Sequence, residues 1–326
     1  MTELATTPLH ASTSRQTFAD DVLYYLSLQP RQLPSRYFYD ALGSALFEAI
    51  CRLPWYRITR SETRLLATHS RRIFSRLDPL STLVELGPGN GEKLATLIGS
   101  DTLRPPRLDV HLVDVSPTAL ASSSRVTGAL DGVVVTTHQA SYEAGLTEAA
   151  SQTRESGRTL VLFLGSNIGN FDPPGADAFL RGIRSALVKG DAFLIGADLV
   201  KNERELVLAY DDPLGVTDAF NHNLLVRINR ELDGDFDLDA FAHRALWNAE
   251  KSRVEMHLVS QRSQRVRVAA ARLAFTIGEG ESIWTESSYK YQPAALVTML
   301  ERAGFRLVEQ WIDGEAGFAL TLAIAT

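Results

Sequence analysis

Three groups of residues in this sequence have the types and spacing to do chemistry, and the glycine-rich one is the most informative. Glu85-x-Gly87-x-Gly89-x-Gly91 closes an apolar run; Glu92-Lys93 follow, and a second apolar run, 108–113, ends in Asp114. Glycine has no Cβ to hold a ligand off the backbone, so Gly87 and Gly89 at a strand-to-helix turn allow close approach. A carboxylate at the end of the next strand, here Asp114, can accept both hydroxyls of a ribose. The chemistry is that of holding a nucleoside. Lys93 can reach a ligand carboxylate or simply cover the helix surface. The G-x-G-x-G spacing differs from the G-x-G-x-x-G of dinucleotide folds, and no Lys-Ser/Thr follows as in a phosphate loop.

The second group is LFLGSNIGNF at 162–171. The amide of Asn170 offers an acceptor and two donors, suited to the ammonium or carboxylate of a small substrate. The same residue can instead cap a helix beginning near Pro173. The third group combines Tyr210-Asp211-Asp212 with TESSYKY at 285–291. In an extended segment Glu286 and Ser288 face the same side. A carboxylate accepting N–H beside a hydroxyl can take a heteroaromatic ring, although the run also reads as a solvated edge strand. Metal chemistry is not expected: the histidines lack H-x-x-x-H spacing, and the aspartates of 233–239 lack the full calcium-loop pattern. There is no G-x-S-x-G nucleophile elbow, and Cys51, the sole cysteine, lies in an apolar run and is expected to be a small buried residue.

These groups need elements to position them. Residues 16–53 carry apolar positions at helical spacing, punctuated by Pro34 and Pro54, and SETRLLATHSRRIFSRL continues with an amphipathic helix. From residue 82, strand-like runs at 83–86, 110–113, 133–136, 160–164 and 192–195 alternate with helical patterns such as 176–187. That alternation predicts an α/β fold, a doubly wound parallel sheet. A helix at 294–303 and two strands, 306–312 and 317–325, joined at Asp313-Gly314, predict a closing antiparallel hairpin. Between 200 and 285 the rhythm breaks, and alternating strands (RVEMHLVS, QRVRVAAARLAF) predict an inserted α+β domain. The expected division is 1–60 (helices joining the substrate domain), 61–198 (cofactor domain), 199–285 (inserted substrate domain) and 286–326 (helix and hairpin completing the sheet).

Composition is that of an ordinary globular protein: 326 residues, 45% apolar, 22% charged, net charge −6. Basic residues form no block, so no nucleic-acid partner is expected. No apolar run is long enough to span a bilayer. Residues 1–14 lack a basic region followed by an apolar one and read as a loose tail, so the expected location is cytoplasmic. A monomer is compatible with the sequence.

The glycine motif and the order of elements, including the closing hairpin, resemble class I S-adenosylmethionine (SAM) methyltransferases. YFYDALGSALFEAICRLPWY, VELGPGNGEK, FLGSNIGN, GADLVKNERELVLAYDD, GVTDAFNHNLL, RVEMHL and TESSYKY further resemble the histidine N-alpha-methyltransferases of ergothioneine biosynthesis, nearly end to end from about residue 30. The resemblance implies SAM as cofactor, a small amino-acid substrate and trimethylhistidine as product. It places Asn170 and Tyr210 at the amino-acid end of histidine and Glu286 and Ser288 at the imidazole, with Tyr56 and Met256 lining the pocket. Tyr39, Gly87, Lys93 and Asp114 match cofactor positions, with Gly89 in the same turn, and Tyr39 is the candidate proton acceptor. Two departures stand out. Trp55 and Arg57 replace the family's E-Y-Y-P-T-R pattern around Tyr56, and are expected near the pocket. Ser141-Tyr142 stand where the family often has an Asp-Phe pair at adenine.

Overall fold

The computed structural model describes residues 15–100, 104–152 and 157–326; the expected tail, 1–14, lies outside them. The helices, in chain order, are α1 (Arg15–Leu26), α2 (Ala41–Arg52), α3 (Ile58–Ser75), α4 (Glu92–Gly99), α5 (Pro117–Thr127), α6 (Tyr142–Gln152), α7 (Pro173–Ala186), α8 (Glu203–Tyr210), α9 (Val216–Leu232) and α10 (Pro293–Arg302). The strands are β1 (Arg31–Gln32), β2 (Leu80–Leu86), β3 (Leu108–Asp114), β4 (Val133–Gln139), β5 (Arg158–Phe163), β6 (Ala192–Asp198), β7 (Phe241–Asn248), β8 (Arg253–Ser260), β9 (Gln264–Val268), β10 (Leu273–Ile277), β11 (Ser282–Tyr289), β12 (Phe305–Asp313) and β13 (Phe318–Ala325). They form two compact units, one of residues 58–200 with 290–326 and one of described residues 15–57 with 201–289.

The first unit is built on a seven-stranded sheet in the order β12-β13-β6-β5-β2-β3-β4. Strands β2 to β6 run parallel, while β13 lies antiparallel to both β6 and β12. A strand covered on both faces needs apolar side chains at every position, and all seven residues of β6 are buried. This is the class I methyltransferase order, as the alternating pattern and closing hairpin predict. The chain reverses direction across the sheet between β2 and β5. Loops leaving the carboxyl ends of those two strands therefore flank the crevice where open α/β sheets bind ligands. Beneath it, Phe163, Phe171 and Phe179 pack with ring centroids 4.6 and 4.8 Å apart along the series 163–179–171.

The second unit carries a four-stranded sheet, β1-β11-β8-β7, and a two-stranded ribbon, β10-β9. Helix α9 buries Phe220, Leu224, Leu225, Ile228 and Leu232, the three-to-four spacing of an amphipathic helix. Two sequence expectations need correction. The alternating run 264–275 is not one strand: it turns back through Arg272, at φ 50, so that β9 and β10 pair antiparallel. The substrate unit also does not stop at 285, because β11 continues its pairing with β8 through Tyr289.

Candidate active site

In the sheet unit, Gly87, Gly89 and Gly91 all hold positive φ (72, 56 and 81°), a region that a side chain disfavours. The Gly87 N–H donates to the Val113 carbonyl at 2.9 Å, tying the turn to the end of β3, and Gly91 caps α4. A Cβ at Gly91 would lie 2.8 Å from the Ser123 backbone, whereas one at Gly89 would meet nothing within 4 Å. The turn is thus packed at its helix end and open at Gly89. Glu85, on β2, is buried, with one carboxylate oxygen, Oε2, lacking a hydrogen-bond partner. Burial pushes its pKa up to about 8, further raised by Glu62 and Asp114 and opposed by Lys93. Asp114 ends β3 and accepts from the Ser116 N–H at 2.8 Å; burial lifts its pKa to about 6 against the Ser116 and Val115 amides. An open glycine turn, an orphaned buried acceptor and an oriented carboxylate on the next strand fit a nucleoside carrying polar, cationic groups.

Lys93, on the first turn of α4, has its ammonium 2.6 Å from the carboxylate of Glu62, on α3. Both oxygens of Glu62 also accept from the Gly165 N–H, at 2.9 and 2.8 Å. Asn170 ends the short helical turn after β5, and it does not cap α7. Asp172 does, accepting from the Gly175 N–H at 2.8 Å, which removes the structural reading of Asn170. Its amide makes no side-chain hydrogen bond among the described residues. Ser141 immediately precedes α6, its hydroxyl receiving the Ala144 N–H at 3.4 Å. Tyr142 is buried against Phe163 and Phe179, with its hydroxyl 3.0 Å from where a Gly87 Cβ would stand. The structure makes Tyr142 a support beneath the glycine turn.

In the other unit, Tyr210 ends α8 and its hydroxyl lies 2.8 Å from Oγ of Ser288. The register of β11 explains which residues join it. Trp284 pairs with His257 and Glu286 with Met256, so Thr285 is an extra residue, a bulge whose hydroxyl donates to the Met256 carbonyl at 3.0 Å. Trp284 and Glu286 would share a face in a regular strand; the bulge separates them. Glu286 and Ser288 thereby fall on the Met256 side. Tyr289 falls on the other, where its hydroxyl receives Arg253 at 2.7 Å. Arg253 in turn bonds Glu255 at 2.7 Å and lies 4.4 Å over the Trp284 ring.

Aromatic rings extend the cluster. Tyr56 meets Tyr210 edge-on at 6.3 Å and Phe47 at 6.2 Å, and Tyr39 meets Phe47 at 5.6 Å and Phe220 at 5.9 Å. Burial raises the Tyr56 pKa, with the neighbouring Tyr210, Cys51, Tyr39 and Glu286 adding to the rise, so its phenol stays neutral. Tyr39 is held by its neighbour Asp40, which caps α2 through the Gly43 N–H at 2.8 Å and receives Asn223 and Arg230, each at 2.8 Å. Asp212 serves α9 in the same way, accepting the Thr217 N–H at 2.8 Å. Cys51 is half-buried and not the buried residue expected, since it stands at the last turn of α2 beside Tyr56. Arg57 is exposed and lies 3.8 Å from Glu205 across a solvated surface. The sequence did not single out Glu62. The available signal was an acid on the apolar stripe of α3, in step with Ile58, Leu65, Leu66 and Ile73.

The histidine-specific, SAM-dependent methyltransferases match residues 18–325 of this sequence. The chain belongs to that family. It is 41% identical over 319 residues to the histidine N-alpha-methyltransferase of Mycolicibacterium smegmatis, covering 97% of each chain. Identity to the histidine N-alpha-methyltransferase of Mycobacterium tuberculosis is 41% over 306 residues, 93% of each chain. Ergothioneine biosynthesis protein 1 of Schizosaccharomyces pombe is 31% identical over 297 residues, 87% of this chain and 38% of that protein. Membership makes the chain a SAM-dependent enzyme, and the cofactor its family uses is one the glycine turn, Glu85 and Asp114 fit. None of its described helices is long and apolar enough to cross a membrane.

Proposed function

We propose that this enzyme methylates the α-amino nitrogen of L-histidine, three times in succession, to give trimethylhistidine. The observation that carries the substrate is the β11 register, which brings Glu286 and Ser288 to one face with Met256 and sets Ser288 2.8 Å from Tyr210. A carboxylate and a hydroxyl on one strand face match the N–H and N positions of an imidazole. In this reading Glu286 and Ser288 hold the ring, Met256 and Tyr56 wall it, and Asn170 and Tyr210 take the amino-acid end. Gly87, Gly89, Lys93 and Asp114 hold SAM, with Ser141 and Tyr142 supporting that site and Tyr39 completing it.

SAM supplies an electrophilic methyl group, so the protein need provide no nucleophile of its own. The amine must lose its proton to attack, being mostly protonated near neutral pH. Tyr39 is the proposed acceptor, directly or through solvent, being the least buried of the clustered tyrosines, at 36% exposure. Tyrosine faces at Tyr39 and Tyr56 favour the cationic, methylated nitrogen as it accumulates charge. The reaction takes place wherever both ligands are soluble, and a cytoplasmic location is part of the proposal.

Incubating purified protein with SAM and each of the twenty amino acids, and reading product masses, tests this. Histidine alone gaining three methyl groups is the expected outcome. Methylation of a different amino acid with histidine untouched would overturn the assignment of Glu286 and Ser288.

A further inference from the structure

Glu62 is fully buried, yet it lies on α3 and belongs to none of the segments that carry the proposed ligand contacts. Burying a carboxylate is costly unless it is paired and hydrogen-bonded. Glu62 meets both conditions with partners from two different elements, helix α4 and the segment after β5. One oxygen receives Lys93 at 2.6 Å, and both receive the Gly165 N–H at 2.9 and 2.8 Å. Gly165 has φ 78 and opens the segment that ends in Asn170. A Cβ there would sit 3.3 Å from the Lys93 ammonium, so helix α4 and this segment meet at the carboxylate. The floor is equally tight: a Cβ at Gly196, on β6, would lie 1.8 Å from Glu62 Oε1.

The rest of the 165–170 segment is clamped too. Ser166 adopts a left-handed φ of 60, and its hydroxyl accepts the Asp198 N–H at 2.9 Å; the Tyr291 hydroxyl donates to the Ile168 carbonyl at 3.1 Å. Asp198 is paired with buried Lys290 at 3.1 Å. Only Glu62 links this segment to the helix bearing Lys93 among these anchors.

We infer that Glu62 is a positioning residue for methyl transfer: one carboxylate aims Lys93 at the cofactor and fixes the segment that presents Asn170 to the substrate. This rests on the cofactor and substrate assignments proposed above. Glutamine at this position keeps an acceptor for Gly165 but removes the negative charge paired with the Lys93 ammonium.

The test uses Glu62→Gln, Lys93→Met and the double variant in the full chain. It measures the dissociation constant of S-adenosylhomocysteine by calorimetry, the histidine KM and the thermal midpoint. Glu62→Gln is expected to weaken S-adenosylhomocysteine by about tenfold, the scale of one lost charge-assisted hydrogen bond, and to raise histidine KM as well. Lys93→Met is expected to cause the first loss alone. The double variant should bind S-adenosylhomocysteine no worse than Lys93→Met, because two residues acting as one unit are not additive. A lower thermal midpoint with both affinities within about twofold of wild type would make Glu62 merely structural and overturn the inference. Additive losses in the double variant would overturn it too. If Glu62→Gln does not fold, Gly196→Ala displaces the carboxylate while keeping its charge, and must reproduce both losses; unchanged affinities there overturn the inference. Wild-type protein that failed to bind S-adenosylhomocysteine would instead count against the cofactor site itself.

Discussion

Glu85 lies close enough to Lys93 for its charge to be favoured, yet burial dominates and holds its pKa up at about 8. The folded protein therefore keeps a proton that the unfolded chain, near 4.3, releases, and stability falls as pH rises from about 4 to about 8. Glu85→Gln mimics the protonated acid. It should raise the thermal midpoint of the unliganded protein near pH 8, with the gain shrinking toward pH 4, by calorimetry. Asp114 bears instead on the proposed ligand site. Its pKa near 6 means that the carboxylate proposed to accept ribose hydroxyls is lost below that pH. S-adenosylhomocysteine affinity should fall from about pH 7 to about pH 5 in wild type and stay low and flat in Asp114→Asn. Tyr210→Phe deletes the bond to Ser288 and should raise histidine KM by about three- to tenfold, a neutral hydrogen bond's worth, with S-adenosylhomocysteine binding unchanged. At this scale the sequence was legible where alternation or spacing constrains a side chain, as at Glu286 and Ser288. It was not legible at Glu62, because an acid on an apolar stripe gives no hint of which loops will bring it an ammonium and an amide.

The glycine turn separates two effects within one element. Gly91→Ala combines positive φ with a Cβ 2.8 Å from the Ser123 backbone, so it should destabilise the protein by about 2 kcal/mol or more. Gly89→Ala also takes a positive φ, 56, but has open space around the Cβ, so its stability loss should be about 1 kcal/mol. Its larger effect should be on cofactor affinity, since the methyl enters the open side of the turn. Chemical denaturation and calorimetry on the two variants check this; equal affinity losses would mean that Gly89 does not face the ligand. Strand and helix existence was readable in the sheet unit because buried parallel strands give continuous apolar runs. Element ends were harder. The 264–275 run hides a turn, since Arg272 takes a left-handed φ that its residue type does not announce. The Thr285 bulge was equally silent, being fixed by pairing with a strand some thirty residues away in sequence.

Across the whole molecule, among the described residues, each unit has a carboxyl held at about 2. Burial acts to raise the Glu255 pKa, but hydrogen bonds from His257, Arg253 and Asn248 bring it to about 2. Burial likewise opposes, and Ser61 and Arg64 outweigh, at Asp313, also about 2. Folded values below the unfolded ones add stability above about pH 4, lost as pH falls toward 2. Glu255→Gln should lower the thermal midpoint at neutral pH, where it leaves Arg253 underpaired, and the gap to wild type should close toward pH 2. The sheet order was legible from the alternation of elements; the substrate unit's pairing was not, since its strands join through contacts distant in sequence. That same sheet order has a consequence for a chain leaving the ribosome. Strand β13 seals the edge of β6, but it is translated only after the whole of 201–289. Until then β6, apolar at nearly every position, offers an unpaired edge to any other nascent chain. Yield in a cell should consequently depend on chaperone supply and elongation rate more than the finished enzyme's stability would suggest.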